Sequence, residues 1–254
     1  MPRRNVREPP TTTSTTSKGH GAPAVPNGHG KPGRNCPRCP RLVAFRKEWR
    51  KREPAWFNAP VASFGPLNAR LAIIGLAPGL QGANRTGRPF TGDYAGVLLY
   101  DTLLRYGFAR GRYGAHPDDG LALVDARITN AVRCVPPENK PTGEEIATCR
   151  DFLKQTIAEM AQLRAIVALG RIAHDTVLTA LGTPRSKAPF AHGGRHMIAD
   201  VTLFDSYHCS RYNTNTGVLT PEMFREVFAA VRAYLDEASQ ARTSSAFLSG
   251  GKTG

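Results

Sequence analysis

Acidic residues are scarce in this chain. Its 254 residues hold 20 Asp and Glu against 34 Lys and Arg, for a formal charge of +14. Long apolar runs are missing: none approaches the ~20 residues that a bilayer-spanning helix needs, so no membrane span is expected. The first 35 residues contain no apolar core segment, so no secretory signal is expected. Cysteine is sparse, with five in all. Without an export signal these are not read as a disulfide framework, and metal or cluster ligation is the better reading.

The basic excess is not confined to the ends. Residues 1–35 carry six Lys and Arg and one Glu, and residues 240–254 carry two bases and no acid, which leaves +7 on residues 36–239. A core this basic points to a polyanion, most simply nucleic acid, bound through phosphate contacts and counterion release. A basic protein with no such partner carries the same signature.

Residues 1–34 are dominated by Ser, Thr, Gly and Pro with almost nothing apolar to bury, and read as a disordered basic tail. An organelle transit peptide has a similar composition and is the alternative. Residues 35–239 read as one α/β domain, and 240–254 as a second disordered tail. Within the domain, strands are expected at Leu71–Gly75, Ala122–Val132, Ala165–Leu169 and in the region 196–206. Helices are expected at Leu42–Trp49, Gly96–Tyr106, from the capping box Thr142-x-x-Glu145 to about Leu163, at 171–181, and from Pro221 to about Ala238. Strand and helix alternate, which argues for a parallel sheet covered by helices.

The stretch GLAPGLQGANRTGRPFTGD, residues 75–93, follows the first strand. It holds five glycines, two prolines and one acid, and is too long for a plain connection. Glycines let backbone approach a ligand closely, and ligands of open α/β sheets sit at the carboxyl ends of strands. The stretch is therefore a candidate active-site wall, with a surface loop lacking chemistry as the other reading. Its spacing does not match a nucleotide-binding fingerprint.

Cys36 and Cys39 are spaced C-x2-C, and Cys134 and Cys149 flank the start of the capping-box helix. Two pairs of thiolates can hold Zn²⁺ or an iron–sulfur cluster. One loose pair slightly favours the cluster, and a plain buried cysteine at 134 or 149 stays open. Cys209 is left over and reads as a site-wall thiol.

GLAPG at 75–79, GANRTGRPFTGD at 82–93, NAVRCVPP at 130–137 and HCSRYNTNTG at 208–217 closely resemble the motifs of the iron–sulfur uracil-DNA glycosylases, in the type B or family-five branch. NCPRC at 35–39 and PRSKAPFAHG at 184–193 fit the same family, so the resemblance covers about residues 35–238. It implies a three-layer α/β/α sandwich around a four-stranded parallel sheet. It also implies a [4Fe–4S] cluster on Cys36, Cys39, Cys134 and Cys149, and removal of uracil and other deaminated bases, such as hypoxanthine, from single- or double-stranded DNA. A monomeric, cytoplasmic, nucleoid-associated bacterial protein is the corresponding expectation.

The residues make chemical sense in that light. A glycosylase flips its base out of the helix and must hold it in a pocket. Phe90 supplies an aromatic face, and Asn130 offers the donor and acceptor that an imide edge requires. His208 can donate to the departing base, whose charge grows in the transition state. Backbone N–H groups around Gly75, Ala77 and Gly79 can meet the same charge. Asp93 either stabilises the sugar and orients water, or caps the next helix. Related branches carry a polar or acidic residue directly after the first glycine. Here Leu76 and Ala77 stand there, neither can activate water, and the type B branch shares that absence. Arg185, Lys187, Arg195 and Arg211 are the expected DNA contacts, with Arg211 and Tyr212 a candidate wedge. A non-catalytic iron–sulfur DNA-binding or redox module is the competing class.

Overall fold

Short runs of small and β-branched residues make the central strands. They are β1 (Leu71–Gly75), β4 (Ala126–Asn130), β5 (Ala165–Leu169) and β7 (Val201–Ser206). Nearly every residue in them is buried. That is the pattern of parallel strands covered on both faces. The computed structural model describes residues 31–249, with side chains to residue 240. The tail expectation for residues 1–30 and 250–254 lies outside the described residues.

The sheet order is β4-β1-β5-β7-β6, with β6 formed by Arg195–Ile198. The first four strands run parallel, and β6 is antiparallel to β7. The sheet thus has five strands, which corrects the expected four. The region 196–206, read as one strand, is a hairpin that turns at Ala199, whose φ is 49°. The expected strand Ala122–Val132 is also divided. Asp125 takes a φ of 53° and accepts the Arg70 N–H at 2.8 Å. Before that break, β3 (Ala122–Leu123) pairs with β2 (Ala109–Arg110) in a separate small ladder.

The helices are α1 (Pro40–Arg52), α2 (Ala83–Thr86), α3 (Tyr94–Arg105), α4 (Gly143–Ala158), α5 (Arg171–Ala180), α6 (Arg211–Asn215) and α7 (Pro221–Ser249). The capping box at Thr142 and Glu145 forms as its sequence requires. Helix α4 stops at Ala158, five residues before the expected end, and α7 continues past Ala238. Alternate strand residues feed two cores. Leu71 and Ile73 pack with α3 and α7 through Leu99, Leu103, Phe224 and Phe228. Ala72 and Ile74 pack with α4 and α5 through Leu153 and Val177. This makes three layers and leaves the carboxyl ends of the strands open for a site. Among the described residues, no helix is long and apolar enough to cross a membrane.

Candidate active site

Parallel pairing of β1 with β4 sets Gly75 beside Asn130 at the carboxyl ends of the strands. A Cβ at position 75 would lie 2.5 Å from Asn130 Oδ1 and 2.6 Å from Cζ of Phe90. Glycine here is what lets the ring and the carboxamide converge. Asn130 is 3% exposed, and its Oδ1 has no hydrogen-bond partner. A buried carbonyl oxygen left unpaired is costly unless something else fills its lone pairs. Gly75→Ala is therefore expected to lower product formation at least about tenfold, because something must shift when a Cβ approaches so closely. Single-turnover kinetics with a melting curve alongside will show whether the loss is local.

Phe90 is held with a φ of 52°, unusual for an aromatic residue. Its neighbours enforce this. The Tyr100 hydroxyl donates to Pro89 O at 2.7 Å, and the Tyr113 hydroxyl donates to Phe90 O at 3.3 Å. Gly96 leaves room for that same carbonyl. Beneath them, Arg88 binds Asp119 through two bonds of 2.8 and 2.7 Å. Its Nε donates to Thr91 Oγ1 at 2.8 Å, and its guanidinium lies near the rings of Phe64, Tyr100 and Tyr113.

His208 follows β7, its ring centre 6.0 Å from that of Phe90. Burial brings its pKa down to about 4, so the imidazole is neutral near pH 7. Asp93 is the N-cap of α3, and its Oδ1 accepts the Gly96 N–H at 3.1 Å. Its other oxygen, Oδ2, packs against Gly79 and Gly82, where a Cβ would crowd it. Burial raises its pKa, and the N–H groups of Gly96 and Ala95 oppose the rise. Capping and lining the cavity are thus compatible for this residue.

Ala77, Gly79, Phe90, Asp93, Asn130, His208 and Arg211 line one cavity of about 480 Å³. Gly75 touches two of these residues, Asn130 and Phe90, without lining the cavity itself. Arg211 stands at the rim, its guanidinium 5.4 Å from the centre of the Tyr94 ring, and Tyr212 beside it is exposed. Arg185, Lys187 and Arg195 do not line this cavity. Arg185 pairs with Asp175 at 3.5 Å, and Arg195 lies over Phe204 and Tyr234. Cys209, expected in the site wall, is buried behind it, its Sγ directed at Ala95 O at 3.5 Å.

Sequence reasoning missed Asn139, which also lines the cavity. Glu138 and Asn139 both have positive φ, and the readiness of Asn to adopt it was the available signal. The Arg88, Tyr100, Tyr113 and Asp119 scaffold was also missed, because its members meet only in the fold.

Cys36, Cys39, Cys134 and Cys149 line a second, small void together with Leu42, Val132 and Phe152. Arg46 Nη1 donates to Cys134 Sγ at 3.4 Å, and the Arg133 N–H donates to Cys149 Sγ at 3.4 Å. Burial, with the neighbouring thiols adding to it, pushes the Cys39 thiol up to about 11. Burial likewise pushes Cys134 up to about 12. Thiols crowded this way ionise only when a cationic centre joins them. Among the described residues, the close-set ligand group, with atoms within 4.8 Å of one another, is His174, His196 and Asp205 rather than these cysteines. Hydrogen bonds already satisfy that His–Asp group: His174 Nδ1 lies 2.6 Å from Asp205 Oδ1, and Nε2 donates to Ala188 O at 2.8 Å.

The model of the uracil DNA glycosylase superfamily matches residues 62–232. The chain belongs to that superfamily. It is 46% identical over 205 residues to the type-5 uracil-DNA glycosylase of Thermus thermophilus, covering 76% of this chain and 90% of that protein. It is 42% identical over 203 residues to the type-5 enzyme of Pyrobaculum aerophilum, covering 78% and 88%. Similarity to the type-4 uracil-DNA glycosylase of Pyrobaculum aerophilum is weaker, 34% over 180 residues, with 69% and 78% covered. Within the superfamily the chain is thus more similar to these type-5 members than to this type-4 one.

Proposed function

We propose that this superfamily member hydrolyses the N-glycosidic bond of uracil in DNA and leaves an abasic site for repair. The observation that carries the reading is the buried, unpaired Oδ1 of Asn130 facing a cavity walled by Phe90 and His208. A flipped uracil fills that vacancy: its N3–H donates to Asn130 Oδ1, and the Asn130 amide donates to the base carbonyl at C4. Phe90 stacks on the base. Neutral His208, helped by backbone N–H groups around Gly75, Ala77 and Gly79, donates to the carbonyl at C2 as the departing base gains negative charge. Water adds to C1′ of the sugar as the bond to N1 breaks. Asp93 sits on the sugar side, where it orients that water and steadies the positive charge. Ala77 and Gly79 leave one wall free of polar selection, which suits hypoxanthine and other deaminated bases as well.

Cys36, Cys39, Cys134 and Cys149 are the ligands of a [4Fe–4S] cluster in this reading. No three of these thiols lie within 4.8 Å of one another, and two N–H donors are aimed at sulfur, which supports a polynuclear group. Such a group ties α1 to the β4 exit and to α4 when bound. Ala77 packs against the same cysteine cluster, so those four residues also brace the base wall. Arg211 contacts the DNA at the rim, and Arg185, Lys187 and Arg195 contact the backbone further out. The active form is a monomer in the bacterial cytoplasm, working at the nucleoid.

The test is incubation of the brown, cluster-bearing protein with duplex DNA carrying one uracil, followed by hot alkali. Strand scission at the uracil is expected, with hypoxanthine and xanthine substrates run in parallel. Among the described residues no lysine lines the cavity, so borohydride should trap no covalent adduct. Binding without any abasic product, from protein that keeps its visible absorption, would replace the catalytic reading with a DNA-binding module.

A further inference from the structure

The segment that carries His208 is fixed from several directions as it leaves β7. The Gly170 N–H donates to Ser206 O at 2.7 Å. On the far side, the Asn213 carboxamide donates to His208 O at 2.8 Å. Between them the Tyr207 N–H donates to Nδ1 of His192 at 3.0 Å. The rings of His192 and Tyr207 also stack, centres 4.9 Å apart and planes 21° from parallel. Accepting at Nδ1 leaves the ring proton on Nε2. His192 thus grips the peptide immediately before His208.

His192 is itself held firmly. Its loop is fastened to β7 through Asp205, whose carboxylate meets His174 at 2.6 Å, His196 at 3.2 Å and the Ala191 N–H at 3.4 Å. The Asp205 backbone continues the attachment. Its carbonyl accepts the Gly193 N–H, and its N–H donates to Gly194 O, each at 2.9 Å. His192 does not line the base cavity.

We propose that His192 is a positioning residue for His208, a clasp that sets the direction in which the catalytic imidazole points. The proposal rests on the reading of His208 as the donor to the departing base. Without an acceptor at position 192, the Tyr207 N–H is left unpaired, and the exit from β7 turns to find one. His208 turns with it.

Two variants separate acceptor from packing. His192→Phe keeps a stacking ring and loses the acceptor, while His192→Asn restores an acceptor near the place of Nδ1 and loses the stack. His192→Phe is expected to slow single-turnover uracil release about 100-fold, with the DNA Kd within about twofold of the parent, and His192→Asn to stay within about threefold of the parent rate. Should His192→Phe fail to fold, His192→Ala is read in its place. A His192→Phe rate within about threefold of the parent overturns the clasp, as does equal loss in both variants or a loss confined to DNA affinity. A parent protein that releases no uracil overturns the glycosylase reading instead, so the two failures are distinguishable.

Discussion

His208→Ala is expected to lower the single-turnover rate of uracil release by about 10²–10³-fold, the usual effect of removing one preorganised donor from a developing anion. On the proposed reading, in which Asn130 and Phe90 hold the flipped base, the DNA Kd should change little. In that reading the donor is effective because it is fixed in place beforehand and costs no reorganisation when the bond breaks. Burial keeps His208 neutral, with a pKa of about 4. The group therefore makes no titration step near its ordinary value of about 6.5. Rates measured by rapid quench and alkaline cleavage across pH should give parallel profiles for parent and variant. A step near neutrality that vanishes in His208→Ala would show instead that the imidazole works as a cation.

Arg88→Met is expected to destabilise the protein by about 3 kcal/mol, because it strands a carboxylate that is buried and hydrogen-bonded. The lower end of the usual range applies, since Asp119 lies on a loop whose neighbours are exposed. For a chain of this size the loss corresponds to a Tm lower by about 6–12 °C, readable by calorimetry. The Arg88 guanidinium holds the Asp119 carboxyl well below the usual carboxylate range. A depressed pKa makes this stabilisation complete above the unfolded value of about 3.9, and it is lost as pH falls. The gap between parent and Arg88→Met should accordingly close under acid and stay constant above about pH 5. An equal gap at every pH would mean that stacking on Phe64, Tyr100 and Tyr113, rather than the charge, carries the effect. Activity should fall as well, since the same scaffold keeps Phe90 in its left-handed conformation.

Part of the cavity wall was legible for a local reason: the stretch 75–93, with Ala77 and Gly79, follows an apolar strand, and Asn130 ends one. Phe90, Asp93 and His208 were legible through the family resemblance of their motifs. What was not legible depends on partners distant in the chain. The Arg88 and Asp119 pair is one case, and Tyr113 against the Phe90 carbonyl is another. The fifth strand was missed because β6 and β7 are separated only by a tight turn at Ala199 and Asp200, with no glycine to mark it. Asp125 hid a break inside an apolar run in the same way. Asp93 shows the limit of reading one residue as one role: a carboxylate has two oxygens, and only one of them is used by the helix cap.

The side-by-side placement of Gly75 and Asn130 also bears on how the protein comes to life after synthesis. The two residues belong to strands far apart in the chain, joined by parallel pairing, a class of contact that forms late because a long loop must close first. A slip of one position would turn Asn130 into the wrong layer. The base reading proposed for Asn130 thus requires a correctly aligned sheet. On that reading an immature or misaligned molecule, however basic, excises nothing.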